Sequence, residues 1–144
     1  MADLSKLVEY DKAYPVTLMR GGKPVGITIN IISFDSERVT KAIHAASSRK
    51  WMAARENDNG ILTPEQVFQY ANEEINECVI AAIDSWDFGD HSWGDLPVGF
   101  ECNEKNKRYF VNHPNAKWIK DTIFAKGSEV SNFFGELPTP SEKK

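Results

Sequence analysis

A long apolar stripe that follows a strong helix-start signal constrains the fold of this chain more than any other feature. In Thr63-Pro64-Glu65-Gln66, the threonine side chain can accept a hydrogen bond from the Gln66 backbone N–H, and the Gln66 side chain can reach back. Proline stands at the first helical position, where its missing N–H does no harm. Apolar residues then recur at helical spacing for about five turns, up to Trp86. The sequence predicts a helix over about 64–86 whose buried stripe contributes most to the core.

A β-hairpin is predicted over about 14–34, before the first helix. Two segments rich in β-branched residues are separated by Gly21-Gly22-Lys23-Pro24, which combines glycine freedom at positive φ with a proline. From Val25 to Ile31, every second side chain is apolar, which is the period of a strand with one buried face. Because a single hairpin is only marginally stable alone, its apolar face must pack on helices or on another chain.

Three further helices complete the predicted architecture. Asp35-Ser36 offers an N-cap for a helix over about 36–56, which Asn57-Asp58-Asn59-Gly60 ends. Asn103 precedes a short helix over about 104–112, and Pro114 begins a last helix over about 114–133. The sequence therefore predicts an α+β fold that is mainly α-helical, with an N-terminal β-hairpin packed on about four helices.

Length and composition predict one domain. The chain has 144 residues, of which 41% are hydrophobic, enough for one modest core. We expect a single globular domain over 1–135. The segment 136–144 contains two prolines and a charged end, so we expect a flexible C-terminal tail there.

Charge and hydropathy argue against two classes of partner. The net charge is −4 and the two signs are interspersed, so there is no basic footprint for nucleic acid or for anionic lipid. Apolar runs are far shorter than the roughly 20 residues needed to span a bilayer. The N-terminus lacks a basic region followed by an apolar one. We expect a soluble, cytoplasmic protein that binds neither nucleic acid nor membrane.

The sequence contains no catalytic motif, so we expect no enzyme and no cofactor. Asp87, Asp90, His91 and Asp95 share one loop, and alternating acids can bind a hard cation, but the spacing and the terminal bidentate acid of an EF-hand loop are missing. A polar loop without metal is the better interpretation. Cys78 falls on an apolar helix face, where a buried thiol is the usual state, while a disulfide with Cys102 stays open.

Aromatic residues are the strongest candidates for binding. Trp86 and Phe88 lie at a helix end, where apolar anchors usually complete a core, whereas Trp93 in a polar, glycine-flanked loop has the stronger claim to an exposed contact. Phe133 and Phe134 cannot both lie on one helix face, so one of them is available to a partner. We expect a partner-binding surface bordered by six residues: Trp86, Phe88, Trp93, Trp118, Phe133 and Phe134.

These motifs resemble those of the tail assembly chaperones of long-tailed bacteriophages. The likeness covers about 15–135 and is clearest after Ile80, in the pair Trp86 and Phe88, the Pro97–Asn106 passage, Trp118-Ile119, and the closing Phe133-Phe134-Gly135. The loop containing Trp93 is longer and more aromatic than the family pattern.

The resemblance implies a function in tail assembly. Such proteins act in the host cytoplasm and are absent from the mature virion. They coat the tape measure protein, keep it soluble and help to recruit tail tube subunits, in many cases through a longer frameshifted form. A homo-oligomer is compatible with this function, and no cofactor is required. The alternative is a structural virion component, such as a head–tail connector or minor tail protein, that uses the hairpin edge to pair with a neighbouring chain.

Overall fold

Three antiparallel strands and four α-helices are seen for residues 4–135 in a computed structural model. This confirms the predicted α+β class, mainly helical with an N-terminal hairpin. Residues 1–3 and 136–144, including the predicted tail, lie outside the described part of the chain. The elements in chain order are β1 (Tyr14–Arg20), β2 (Lys23–Ile31), α1 (Glu37–Arg55), α2 (Pro64–Ala82), β3 (Ile83–Asp87), α3 (Glu104–Asn112) and α4 (Lys117–Gly127).

The predicted hairpin is confirmed as β1 and β2. The strands pair antiparallel, with Val16 opposite Ile29, and the turn between them uses Gly21 and Gly22 at φ values of 57° and 79°. Such positive φ values are readily adopted by glycine, which explains both residues. The apolar alternation of β2 places Ile27, Ile29 and Ile31 in the core, as predicted. The hairpin therefore contributes one buried face to the domain.

The third strand was not predicted. The helix expected over 64–86 ends at Ala82, and β3 then runs antiparallel to β2 with Trp86 opposite Ile29. Pairing along β2 gives the β3 backbone its hydrogen bonds, and Ile83 still reaches the core. Apolar positions near the end of the stripe fit a strand as well as a helix, so periodicity alone could not separate the two.

The helices α1 and α2 form an antiparallel pair. Their predicted starts are confirmed: the Ser36 side chain caps α1, and Thr63 with Gln66 forms the capping box of α2. Arg38 near the start of α1 donates to the Ala81 carbonyl oxygen at 2.6 Å, and farther along α1 Arg49 pairs with Glu73, so residues advance along one helix as they recede along the other. A short connection between adjacent helices gives this arrangement.

The helix predicted over 114–133 is divided. A 3-10 turn spans Pro114–Ala116, α4 ends at Gly127, and a second 3-10 turn spans Val130–Phe133. A Cβ atom on Gly127 would lie 2.4 Å from the Phe34 ring, so this close packing requires glycine at the helix end. The chain then turns back, and the Phe133 carbonyl oxygen accepts a hydrogen bond of 2.7 Å from the Glu9 N–H.

The main core lies between the sheet and the helices α2, α3 and α4. Of α2, the C-terminal half takes part in it through Val79 and Ile80. Polar contacts from the same half hold it to α3 and α4: Asn76 is hydrogen-bonded to Asn112 and Lys120, and Glu77 is paired with Arg108. A smaller cluster joins α1 to the same half of α2, through Val39 and neighbouring apolar residues. The distal ends of α1 and α2 extend beyond both clusters.

Candidate polypeptide-binding surface

Trp86 and Phe88 belong to an aromatic cluster in the core. The Trp86 ring centroid lies 5.4 Å from that of Phe88 and 5.6 Å from that of Phe110, and its indole N–H donates to the Phe100 carbonyl oxygen at 3.3 Å. Phe88 is buried and Trp86 is half-buried. The two residues complete the core, so Phe88 offers no surface to a partner.

Trp93 joins the same cluster and is not the exposed anchor that its polar loop suggested. Its ring centroid lies 4.9 Å from that of Phe110, and the side chain is half-buried. The loop closes over the core because His91 is hydrogen-bonded through Nε2 to the Val25 carbonyl oxygen at 2.8 Å. Gly94 permits this closure, since a Cβ atom there would lie 2.4 Å from the Tyr109 hydroxyl. Tertiary packing therefore turns the Trp93 ring inward, while the neighbouring polar residues of the loop stay exposed.

The Phe133-Phe134 pair contributes one core residue and one surface residue. Phe133 is fully buried, with its ring centroid 6.0 Å from that of Tyr14, whereas Phe134 is 43% exposed. Phe133 ends a 3-10 turn and Phe134 begins the extended segment that bridges Val8, so the two side chains point differently. Of this pair, only Phe134 is placed to meet a partner.

Trp118 lies 46% exposed beside a groove of about 530 Å³, which we name the sheet groove. The groove runs between the β-hairpin, the loop before α3, and α4. Its lining brings together two of the predicted site residues, Trp93 and Trp118, with Met19, Val25, Ile27 and His91. The sheet groove is thus what remains of the surface expected from the sequence.

A second groove, of about 470 Å³, lies where α1 ends and α2 begins, and we name it the tip groove. Among the large apolar side chains that line it, Trp51 is 65% exposed and Ile61 is 62% exposed. Its apolar lining consists of Trp51, Ala54, Ile61, Leu62, Val67 and Ala71. Exposed apolar side chains that cluster in this way are typical of interaction surfaces.

The loop between α1 and α2 holds the tip groove open. The Asn57 side-chain amide donates to the Ile61 carbonyl oxygen at 2.6 Å and to the Gln66 side chain at 2.7 Å. Gly60 adopts a φ of 71°, which lets the chain reverse. These contacts fix Ile61 beside the groove with its side chain in solvent.

The tip groove was missed in the sequence because its residues fit an ordinary buried stripe. Val67, Phe68, Ala71 and Ile75 continue the spacing of the buried Cys78, Val79 and Ala82. The available signal was the number of apolar residues on both helices near the connecting loop, with Trp51-Met52 at the end of α1. That signal indicates an apolar end to the helix pair but does not say whether the rest of the chain covers it.

The acidic loop before α3 is held by local hydrogen bonds. Asp87 accepts from the Gly89 N–H at 2.8 Å, and the Asp95 N–H donates to the Tyr109 hydroxyl at 2.9 Å. Within residues 4–135, no group of three or more His, Cys, Asp or Glu side chains is placed to hold a metal ion. None of the helices described over the same residues is long and apolar enough to cross a membrane.

Cys78 is buried, as predicted, and both it and Cys102 are free thiols. Burial, reinforced by the negative charges of Glu74 and Glu77, raises the Cys78 pKa from 9.0 to about 11. Between pH 9 and about pH 11 the thiol of the unfolded chain loses its proton, whereas the thiol of the native state retains it. The contribution of Cys78 to stability is therefore complete below pH 9 and is lost as the pH rises toward 11.

We expect Cys78→Ala to remove part of this pH dependence. Urea unfolding at pH 8, 9 and 10 should show a free energy of unfolding that falls more steeply for the wild type than for the variant. The lysines are the same in both proteins, so the difference between the slopes reports the thiol. Parallel curves would contradict the raised pKa.

The chain matches no family model, no curated protein and no solved structure. Two apolar grooves flanked by charged side chains can hold another polypeptide.

Proposed function

We propose that this protein is a phage tail assembly chaperone that covers apolar stretches of the tape measure protein. The observation that carries the proposal is the tip groove, where large apolar side chains of two helices are left in solvent. The resemblance of the sequence motifs to those of tail assembly chaperones is the basis for naming this partner. In this function the protein acts in the host cytoplasm and does not enter the mature virion.

The tip groove suits a helical partner. It lies between two antiparallel helices, and a third helix placed along it would complete a small bundle whose apolar stripe is shielded from water. Burying a large apolar side chain of its lining, such as Trp51, Ile61 or Val67, contributes about 1.5–3 kcal/mol before the costs of association are subtracted. The resulting affinity is moderate, which suits a partner that must later be released.

The sheet groove gives the protein a second apolar surface, separate in its lining from the first. In the proposed function it receives tail tube subunits, either directly or with the help of a longer frameshifted form. Trp118 is its exposed aromatic residue, and exposed tryptophans are common anchors of interfaces.

The alternative, a virion component that pairs through its hairpin edge, has less support. The edge strand β1 contains Pro15, which cannot donate a backbone hydrogen bond, and an irregularity in register between Thr17 and Met19. Prolines and bulges are features that protect sheet edges from pairing with other chains. The edge of β1 is thus poorly suited to β-augmentation.

Co-expression with the tape measure protein of the same phage tests the proposal. We expect the wild-type chain to raise the soluble yield of tape measure protein at least about tenfold, and the double variant Trp51→Ala/Ile61→Ala, which removes two exposed groove side chains, to lose most of this gain. Because both side chains are exposed, the variant should keep the wild-type midpoint of urea unfolding.

Trp118→Ala serves as the matched control, since it removes an exposed tryptophan outside the tip groove. It should preserve the soluble yield of tape measure protein. The proposal fails if wild-type protein leaves the tape measure protein insoluble, or if mass spectrometry finds the chain as a stoichiometric part of purified virions.

A further inference from the structure

We propose that the tip groove selects amphipathic helices whose apolar stripe is flanked by basic residues at one end. This rests on the proposed function and adds the chemistry of the segment that is recognised. Three observations support it: the acidic side chains around the tip, the neutralised charges farther along the groove, and the apolar side chains of α1 and α2 that line it.

Acidic side chains predominate around the tip. Glu56 and Asp58 line a hollow that shares Ile61 and Leu62 with the tip groove, and Glu65 lies in the first turn of α2. All three acids are exposed, and none forms an ion pair within residues 4–135. Arg55, at the end of α1, is the one cation among the neighbouring residues 55–65.

The charges at the inner end of the groove are already compensated. Lys50 is paired with Glu74 at 3.0 Å, and Arg49 is paired with Glu73. At the tip, the partial negative charge of the α1 C-terminus is offset by the partial positive charge of the α2 N-terminus, so the excess negative charge there is that of the exposed carboxylates. The negative potential is therefore concentrated at one end of the groove.

This asymmetry defines both the sequence and the direction of the bound helix. Apolar side chains at helical spacing would contact Trp51, Ile61 and Val67, whose exposed surfaces form the walls. Lysine or arginine beside that stripe would face the acidic tip, whereas glutamate there would be repelled. The basic end of the partner helix therefore lies at the tip, and the neutral end lies toward the Lys50–Glu74 pair.

Two designed helical peptides test this inference. Both carry the same leucine stripe and a fluorescent label, and they differ only in having lysine or glutamate beside the stripe at one end. In 50 mM NaCl, fluorescence anisotropy with the full-length chain should show the lysine peptide binding about tenfold more tightly than the glutamate peptide. In 500 mM NaCl the ratio should fall to about twofold, because salt screens exposed charges.

Charge-neutralising variants locate the effect. Glu56→Gln/Asp58→Asn/Glu65→Gln should reduce the preference in 50 mM NaCl to about twofold. A control that removes three exposed acids elsewhere should keep the full preference: Asp11→Asn/Asp90→Asn/Glu101→Gln. Trp51→Ala removes an uncharged side chain that lines the groove, so it should weaken both peptides by a similar factor.

The outcomes separate this inference from the proposed function. Equal binding of the two peptides, weakened alike by Trp51→Ala, would overturn the charge selectivity and leave the groove as a polypeptide site. Absence of binding by either peptide would overturn the inference as a whole. Failure of the co-expression assay would instead count against the proposed function, whatever the peptides do.

Discussion

Replacing Phe133 by alanine is expected to lower the free energy of unfolding by about 3–5 kcal/mol. The side chain is fully buried, and its ring packs beside Tyr14 where the two ends of the described chain meet. The segment from 133 to 135 is hydrogen-bonded to the segment from 7 to 9, so the cavity would also loosen this pairing. Because domains of this size are stable by only about 5–15 kcal/mol, the variant should be close to unfolding. Urea unfolding followed by far-UV circular dichroism measures the change.

Phe134→Ala is the matched control, one residue away. Its side chain is 43% exposed, so the expected loss is below about 1 kcal/mol. If the two variants had equal stability, Phe133 would not occupy the core as described. If Phe133→Ala stayed folded and only partner binding were lost, its sequence-based assignment to the partner surface would be restored.

The parts of the fold that depend on local chemistry were predictable from the sequence. The Gly21-Gly22 turn, the Ser36 cap and the Thr63 capping box each require specific residues within a few positions. The structure confirms all three, as well as the helix over 104–112. Short-range signals of this kind do not depend on how distant segments pack.

The parts that depend on tertiary contacts were not predictable. Residues 83–87 form a strand because the free edge of β2 is next to them in space, which no local pattern reveals. Likewise, α4 ends at Gly127 because Phe34, far away in sequence, packs against it. In both cases a periodic apolar pattern continues past the point at which the element ends.

The binding surface was misplaced for a related reason. An amphipathic stripe shows which side chains seek an apolar environment but not whether the same chain supplies it. On α2 the half from Cys78 onward is covered by the rest of the protein, while the half that begins at Val67 is not. Trp93, an aromatic residue in polar surroundings, was predicted to be exposed, although its ring packs inward. Trp51 and Phe68 fit helical stripes and were not included in the predicted surface, although both side chains are exposed.

Phe88→Ala is the second variant for which we expect a loss of about 3–5 kcal/mol in the free energy of unfolding. Phe88 is buried at the centre of the aromatic cluster, with its ring centroid 4.7 Å from that of Phe100 and 5.5 Å from that of Phe110. Removing the Phe88 ring also removes a packing contact of Trp86 and one of Trp93. The near-UV circular dichroism of the folded protein should therefore decrease.

Trp118→Ala provides the comparison, because it removes a larger aromatic side chain from an exposed position. We expect its free energy of unfolding to change by less than about 1 kcal/mol, since about half of that ring is already in contact with water. Urea unfolding of both variants, with chemical shifts of the remaining tryptophan indoles as a second measurement, tests the assignment. A large loss for Trp118→Ala with none for Phe88→Ala would mean that the aromatic cluster is not the core. The Trp93 loop would then again be a candidate for the partner surface. If Phe88→Ala shows the larger loss of stability, as expected, the aromatic cluster is part of the core and the two grooves remain the candidates for binding.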